Sequence, residues 1–147
     1  MLLNGCLPQG PSSKVQLASQ GIYSAAIDKI GQSAVVGSYL HGGSYWDLEK
    51  KGRSFNWNHR EGYLTEILYG DISSDGRFAV TANYFNLVLW DTTTGESIWF
   101  WSAPAKIEAV ALSSDGRFAM LGLANNSALL FDVLNGGLLR EFIHQGP

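Results

Sequence analysis

Ser73-Ser74-Asp75-Gly76-Arg77-Phe78-Ala79 returns letter for letter, forty residues on, as Ser113-Ser114-Asp115-Gly116-Arg117-Phe118-Ala119. Working outward, Leu89-Trp90-Asp91 returns as Leu130-Phe131-Asp132, and Gly95 returns as Gly136. A fainter copy lies upstream. Ile30-Gly31-Gln32-Ser33-Ala34-Val35 aligns with Asp75 to Val80, and Trp46-Asp47 aligns with Trp90-Asp91. Three units of about 42 residues therefore run from Gly21 to the last residue. A period of that length is the mark of one supersecondary unit repeated in tandem.

Each unit reads as short apolar strands broken by turns. In the second unit the strands fall near Glu66 to Ile72, Phe78 to Ala82, Leu87 to Trp90 and Ser97 to Trp101. In the third they fall at Ile107 to Leu112, Phe118 to Gly122, Ala128 to Val133 and Leu138 to Ile143. Ser-Ser-Asp-Gly makes the first turn of a unit, because Asp bonds the backbone two residues on and Gly accepts φ > 0. Thr92-Thr93-Thr94-Gly95 makes the last. No segment combines a helical period with caps. The fold class is all-β, with three four-stranded antiparallel repeats.

Composition agrees. Seventeen glycines, 12% aromatic residues with five Trp, and only 16% charged residues suit many short strands and tight turns, not disorder. The net charge of −3 provides no basic field for nucleic acid. No apolar run reaches the roughly 18 to 20 residues of a membrane helix. The single cysteine, Cys6, cannot form an internal disulfide, and no metal-ligand spacing occurs.

The order Val110-x-Leu112-Ser113-x-Asp115-Gly116-Arg117, then Leu130-Phe131-Asp132-Val133, then Gly136, resembles a WD repeat with Phe131 in the place of Trp. The second unit keeps Trp90-Asp91 and the first Trp46-Asp47. The resemblance covers residues 21 to 147 and implies β-propeller blades at 21–62, 63–105 and 106–147. It further implies a non-catalytic scaffold that presents loops and rims to protein partners. Propellers typically have four or more blades, so three imply an incomplete ring with two open faces and a tendency to self-associate. No Gly-His dipeptide opens a unit, although His59 and His144 fall near that phase, and the first unit lacks the Asp-Gly turn. These departures weigh against the hydrogen-bonded His, Ser/Thr, Trp and Asp tetrad that braces many WD blades.

A rival resemblance rests on Leu89-Trp90-Asp91-Thr92-Thr93-Thr94-Gly95-Glu96-Ser97-Ile98-Trp99, which is similar to a blade of the quinoprotein-like propellers. Outer-membrane assembly lipoproteins and quinone-dependent dehydrogenases share that form. Asn135 to Arg140 keeps only its glycine. The Ser-Asp-Gly-Arg turn ahead of Trp-Asp favours the WD reading, which requires no cofactor.

Residues 1–20 read as a tether. Leu3-Asn4-Gly5-Cys6 resembles the end of a bacterial lipoprotein signal, whose cysteine is lipidated after cleavage; the other reading is a tail with an incidental cysteine. The first places the protein at the cell envelope, the second leaves it cytoplasmic. Val15-Gln16-Leu17-Ala18 reads as one leading strand.

For catalysis there is no Gly-x-Ser-x-Gly elbow, no phosphate loop, and no local motif joining Ser, His and Asp. Trp46, Trp90 and Phe131 are expected to pack against the next blade. Asp47, Asp91 and Asp132 are expected to bond nearby backbone. Trp57, Trp99, Phe100 and Trp101 fall on outer strands, where consecutive aromatics cannot all point inward. They are read as a partner surface or as contacts to neighbouring loops and blades.

Overall fold

The computed structural model describes residues 14–59 and 66–145. Cys6 and the Leu3–Cys6 sequence lie outside them. Among the described residues there is no helix, hence none long and apolar enough to cross a membrane.

Twelve strands form three antiparallel sheets. The first holds β1 (Ile22–Ile27), β2 (Ser33–Ser38), β3 (Gly42–Asp47) and β4 (Gly52–Trp57). The second holds β5 (Tyr69–Ile72), β6 (Phe78–Ala82), β7 (Asn86–Asp91) and β8 (Ser97–Ser102). The third holds β9 (Ile107–Leu112), β10 (Phe118–Leu123), β11 (Ser127–Asp132) and β12 (Gly137–Ile143). Each is a meander in which sequence neighbours pair. The inner strands β1, β5 and β9 lie side by side, so the sheets fan out as blades in an open, unclosed arc.

The sequence repeat is a register repeat. Ala34 pairs with Trp46, Ala79 with Trp90, and Ala119 with Phe131. The third and fourth strands slip register at the same place in every blade, beside Trp46, Trp90 and Phe131. A bulge at a fixed position twists each outer strand alike.

The turn after each inner strand is also shared. Gly76 and Gly116 have φ of 71° and 72°, a region that glycine enters without steric cost. Ser73 and Ser113 accept the Phe78 and Phe118 amides at 3.0 and 2.8 Å. The first blade has no Asp-Gly pair yet builds the same turn. Asp28 takes the serine's place and accepts the Ser33 amide and hydroxyl at 3.1 and 2.7 Å, and Gly31 adopts φ 74°.

Two features differ from the sequence reading. Residues 14–18 form no strand. Val15 and Leu17 instead lie with Ala34, Val36 and Trp46 around a cleft of about 260 Å³ on the outward side of the first sheet. The chain also reaches β5 later than Glu66: Ile67 is buried off the ladder, its amide donating to Ser38 of the first blade at 3.2 Å.

Candidate partner-binding surface

Alternation along the strands builds the seams between blades. Val35 and Trp57 of the first sheet meet Ile72, Ala79, Val88 and Trp90 of the second. Val80, Leu87 and Leu89 on the second sheet's other face meet Ile107, Leu121, Leu129 and Phe131 of the third. Main-chain bonds between successive turns join the blades, Lys29 N–H to Ser74 C=O and Ser74 N–H to Ser114 C=O, at 3.2 and 2.8 Å. Asp71 adds a bridge the sequence did not disclose, its carboxylate accepting the Leu112 amide at 2.7 Å.

The aromatic quartet divides. Trp57 is 1% exposed, stacks on Trp90 at 4.9 Å and 7°, and donates its Nε1–H to the Gly95 carbonyl at 3.0 Å. Trp99 and Trp101 flank Phe131 at 5.5 and 4.7 Å. Only Phe100, between them in the pleat, is exposed. These four residues therefore make no common exposed surface; three belong to the seams. The direction of packing is also the reverse of that expected: Trp90 and Phe131 rest on the preceding blade. Trp46, in the first blade, is covered by the Arg53 guanidinium 4.9 Å from its ring and by the segment carrying Val15 and Leu17.

The Asp residues cap turns. Asp47 accepts the Lys50 amide, Asp91 the Thr93 and Thr94 amides, and Asp132 the Asn135 amide, all within 2.7–3.2 Å. Gly95 and Gly136 close the same turns by donating to Asp91 and Asp132 carbonyls. Asp115 is held below the usual carboxylate range by the Ser113 hydroxyl and the Arg117 amide. Burial opposes the same effect at Asp75, but the Ser73 hydroxyl and Arg77 amide outweigh it. Among the described residues no three His, Cys, Asp or Glu gather to hold a metal ion.

A polar brace does cross the first seam. Trp90 Nε1–H donates to Thr81 Oγ1 at 2.8 Å, and that hydroxyl lies 2.8 Å from His59 Nε2. Thr81 is fully buried, so both contacts are shielded from water. Burial pushes His59 down to about 4. Three of the four tetrad residue types are thus joined across the first seam without a Gly-His dipeptide. The first blade substitutes Ser44 as acceptor for Trp46, at 2.8 Å. In the third, Phe131 has no proton to give, and His144 is exposed.

Among the described residues, another exposed aromatic group lies on the rim formed by the turns between second and third strands. Tyr39, Leu40, Tyr84 and Phe85 are 38–53% exposed and line, with Glu66, a cleft of about 350 Å³. Tyr23 joins Tyr39 edge-to-face at 6.1 Å. The wall is anchored, because Asn83 Oδ1 accepts the Phe85 and Asn86 amides at 3.0 and 2.8 Å. Tyr84 and Phe85 carbonyls accept the Ile107 and Ala103 amides, both at 2.7 Å. Sequence reasoning passed over this group, although Tyr39 and Tyr84 stand 45 residues apart, in phase with the first two units.

No protein-family model and no curated protein matches the sequence. Solved structures do match the fold. The crystal structure of RRP9 WD40 repeats aligns at TM-score 0.76 and 10% identity, over 88% of this chain and 40% of that one. The structure of U3-55K aligns at 0.77 and 10%, over 88% and 41%. The chain thus spans about two fifths of those structures, and its three sheets are WD40-type propeller blades.

Proposed function

We propose that this protein is a non-catalytic scaffold that engages protein partners through a blade rim. The observation that carries this reading is the anchored aromatic cleft between the first two blades. Contiguous exposed apolar surface rimmed by polar groups is characteristic of interaction sites. Tyr is enriched where partners bind, because a rigid ring adds contact area at little entropic cost. WD40-type architecture supports the same reading, with the fold raising its prior and the surface providing its argument.

Photo-crosslinking tests it. A benzophenone amino acid in place of Phe85 is expected to yield a discrete adduct with another protein in the native host. The same group at Ile98, on the outer strand of the second blade, is expected to yield none. Equal labelling from both positions, or none from either, would contradict the rim as the binding surface.

A bacterial envelope setting, with Cys6 acylated, is a narrower form of this proposal supported by Leu3-Asn4-Gly5-Cys6. Mass spectrometry of host membrane fractions decides it, and unmodified cytosolic protein would rule it out.

A further inference from the structure

We infer that the rim cleft between the first two blades is a receptor for a cationic side chain, lysine or arginine, presented by a protein partner. The inference rests on the scaffold reading above and gives its partner a chemistry. The walls are Tyr39 and Leu40 from the first blade and Tyr84 and Phe85 from the second, and Glu66 supplies a carboxylate beside them. An aromatic ring presents a negative face, so several rings around a carboxylate create a site that attracts a cation and retains its aliphatic stem.

The molecule already uses one of these rings in this way. Lys106 Nζ lies 4.9 Å from the centroid of Tyr84. The Glu66 charge is also felt at the cleft's edge: burial first, then Glu66, keeps the Tyr23 phenol protonated beyond the usual tyrosine range. An anionic ligand would meet the same repulsion. A purely apolar one would bury Glu66 without a partner, which is costly. A cation resolves both, and the chain's net charge of −3 favours its approach.

The walls are fixed before any ligand arrives. Main-chain bonds from Ala103 and Ile107 hold both carbonyls of the Tyr84-Phe85 pair, and Tyr39 N–H donates to Gly21 at 2.9 Å. Little ordering entropy is then lost on binding.

Fluorescence anisotropy of a labelled, end-blocked peptide of alternating lysine and serine, titrated with the full chain, tests the inference. The peptide is expected to bind, more weakly as salt rises. Glu66→Gln and Tyr84→Ala are each expected to weaken binding about tenfold, and glutamine in place of lysine to abolish it. Should Tyr84→Ala unfold the blade, as melting would reveal, Glu66→Gln alone carries the comparison. Binding unchanged by Glu66→Gln, equal binding of the glutamine peptide, or no binding overturns the inference. Spermine competing as well at equal charge would make the cleft a polyamine site and overturn the assignment to a protein partner. The scaffold reading is judged separately: a Phe85 crosslink without peptide binding removes the cation site and leaves the scaffold.

Discussion

A Cβ placed on Gly76 would lie 2.7 Å from the Ser33 hydroxyl, and one on Gly116 would lie 2.6 Å from the Phe78 ring. Each turn thus seats on the preceding blade, at residues that themselves correspond through the repeat. Backbone strain at positive φ and loss of this contact act together. Gly76→Val and Gly116→Val should each cost about 2 kcal/mol, a fall of roughly 4–8 °C in melting temperature for a domain of this size. Both variants melting like the parent would show these turns to be wrongly placed. His59 gives a second test at this scale. Its folded value of about 4 lies below the ordinary 6.5, so the folded protein resists a proton that the unfolded chain accepts. Stability is full above pH 6.5, declines as pH falls toward 4, and stops declining on this account below that. Denaturant titrations from pH 7.5 to 4 should show this loss, on the order of 2–3 kcal/mol, and His59→Gln should flatten it. An unchanged slope in that variant would place the titration elsewhere.

Strands and turns were largely legible, because apolar alternation bounded by Ser-Asp-Gly and Thr-Thr-Gly constrains local geometry strongly. The limit came where a turn was built from other residues. Asp28 alone accepts in the first blade the two turn amides, of Gln32 and Ser33, whose counterparts Asp75 and Ser73 share in the second. Pleat alternation correctly forbade Trp99, Phe100 and Trp101 from sharing one side, but alternation alone does not say which side meets the next blade. That requires the register of β7 against β8, which places Trp99 opposite Leu89 and Trp101 opposite Leu87, both on the buried face. Val15–Ala18 has strand-like alternation but joins no ladder; it lies across a sheet face. The division of the aromatics has a direct consequence. Trp57→Ala should destabilise by about 3–5 kcal/mol, since it empties a stacked, buried site. Phe100→Ala should change stability by no more than about 0.5 kcal/mol. Comparable losses in both, by urea denaturation, would contradict the seam.

At the scale of the whole molecule, each blade buries one face on its neighbour, and the arc leaves its end faces without one. The first sheet's outward face is partly covered by Val15, Leu17 and Arg53, so the two ends are not equally open as the repeat alone suggested. The third sheet's outward face carries Met120 and Phe142, 42% and 43% exposed, with the latter in the place that Trp57 and Trp101 occupy in the other seams. Covering that apolar face is favourable at about 25 cal/mol per Å². We propose that the 147-residue chain self-associates through it. Light scattering coupled to size exclusion tests this most directly, on the parent and on a Met120→Glu, Phe142→Glu double variant that keeps the other seams intact. The account predicts concentration-dependent association for the parent and a mass at or near the monomer for the variant. A parent that is a monodisperse monomer and melts cooperatively would contradict it, because three blades would then need no further face to complete them.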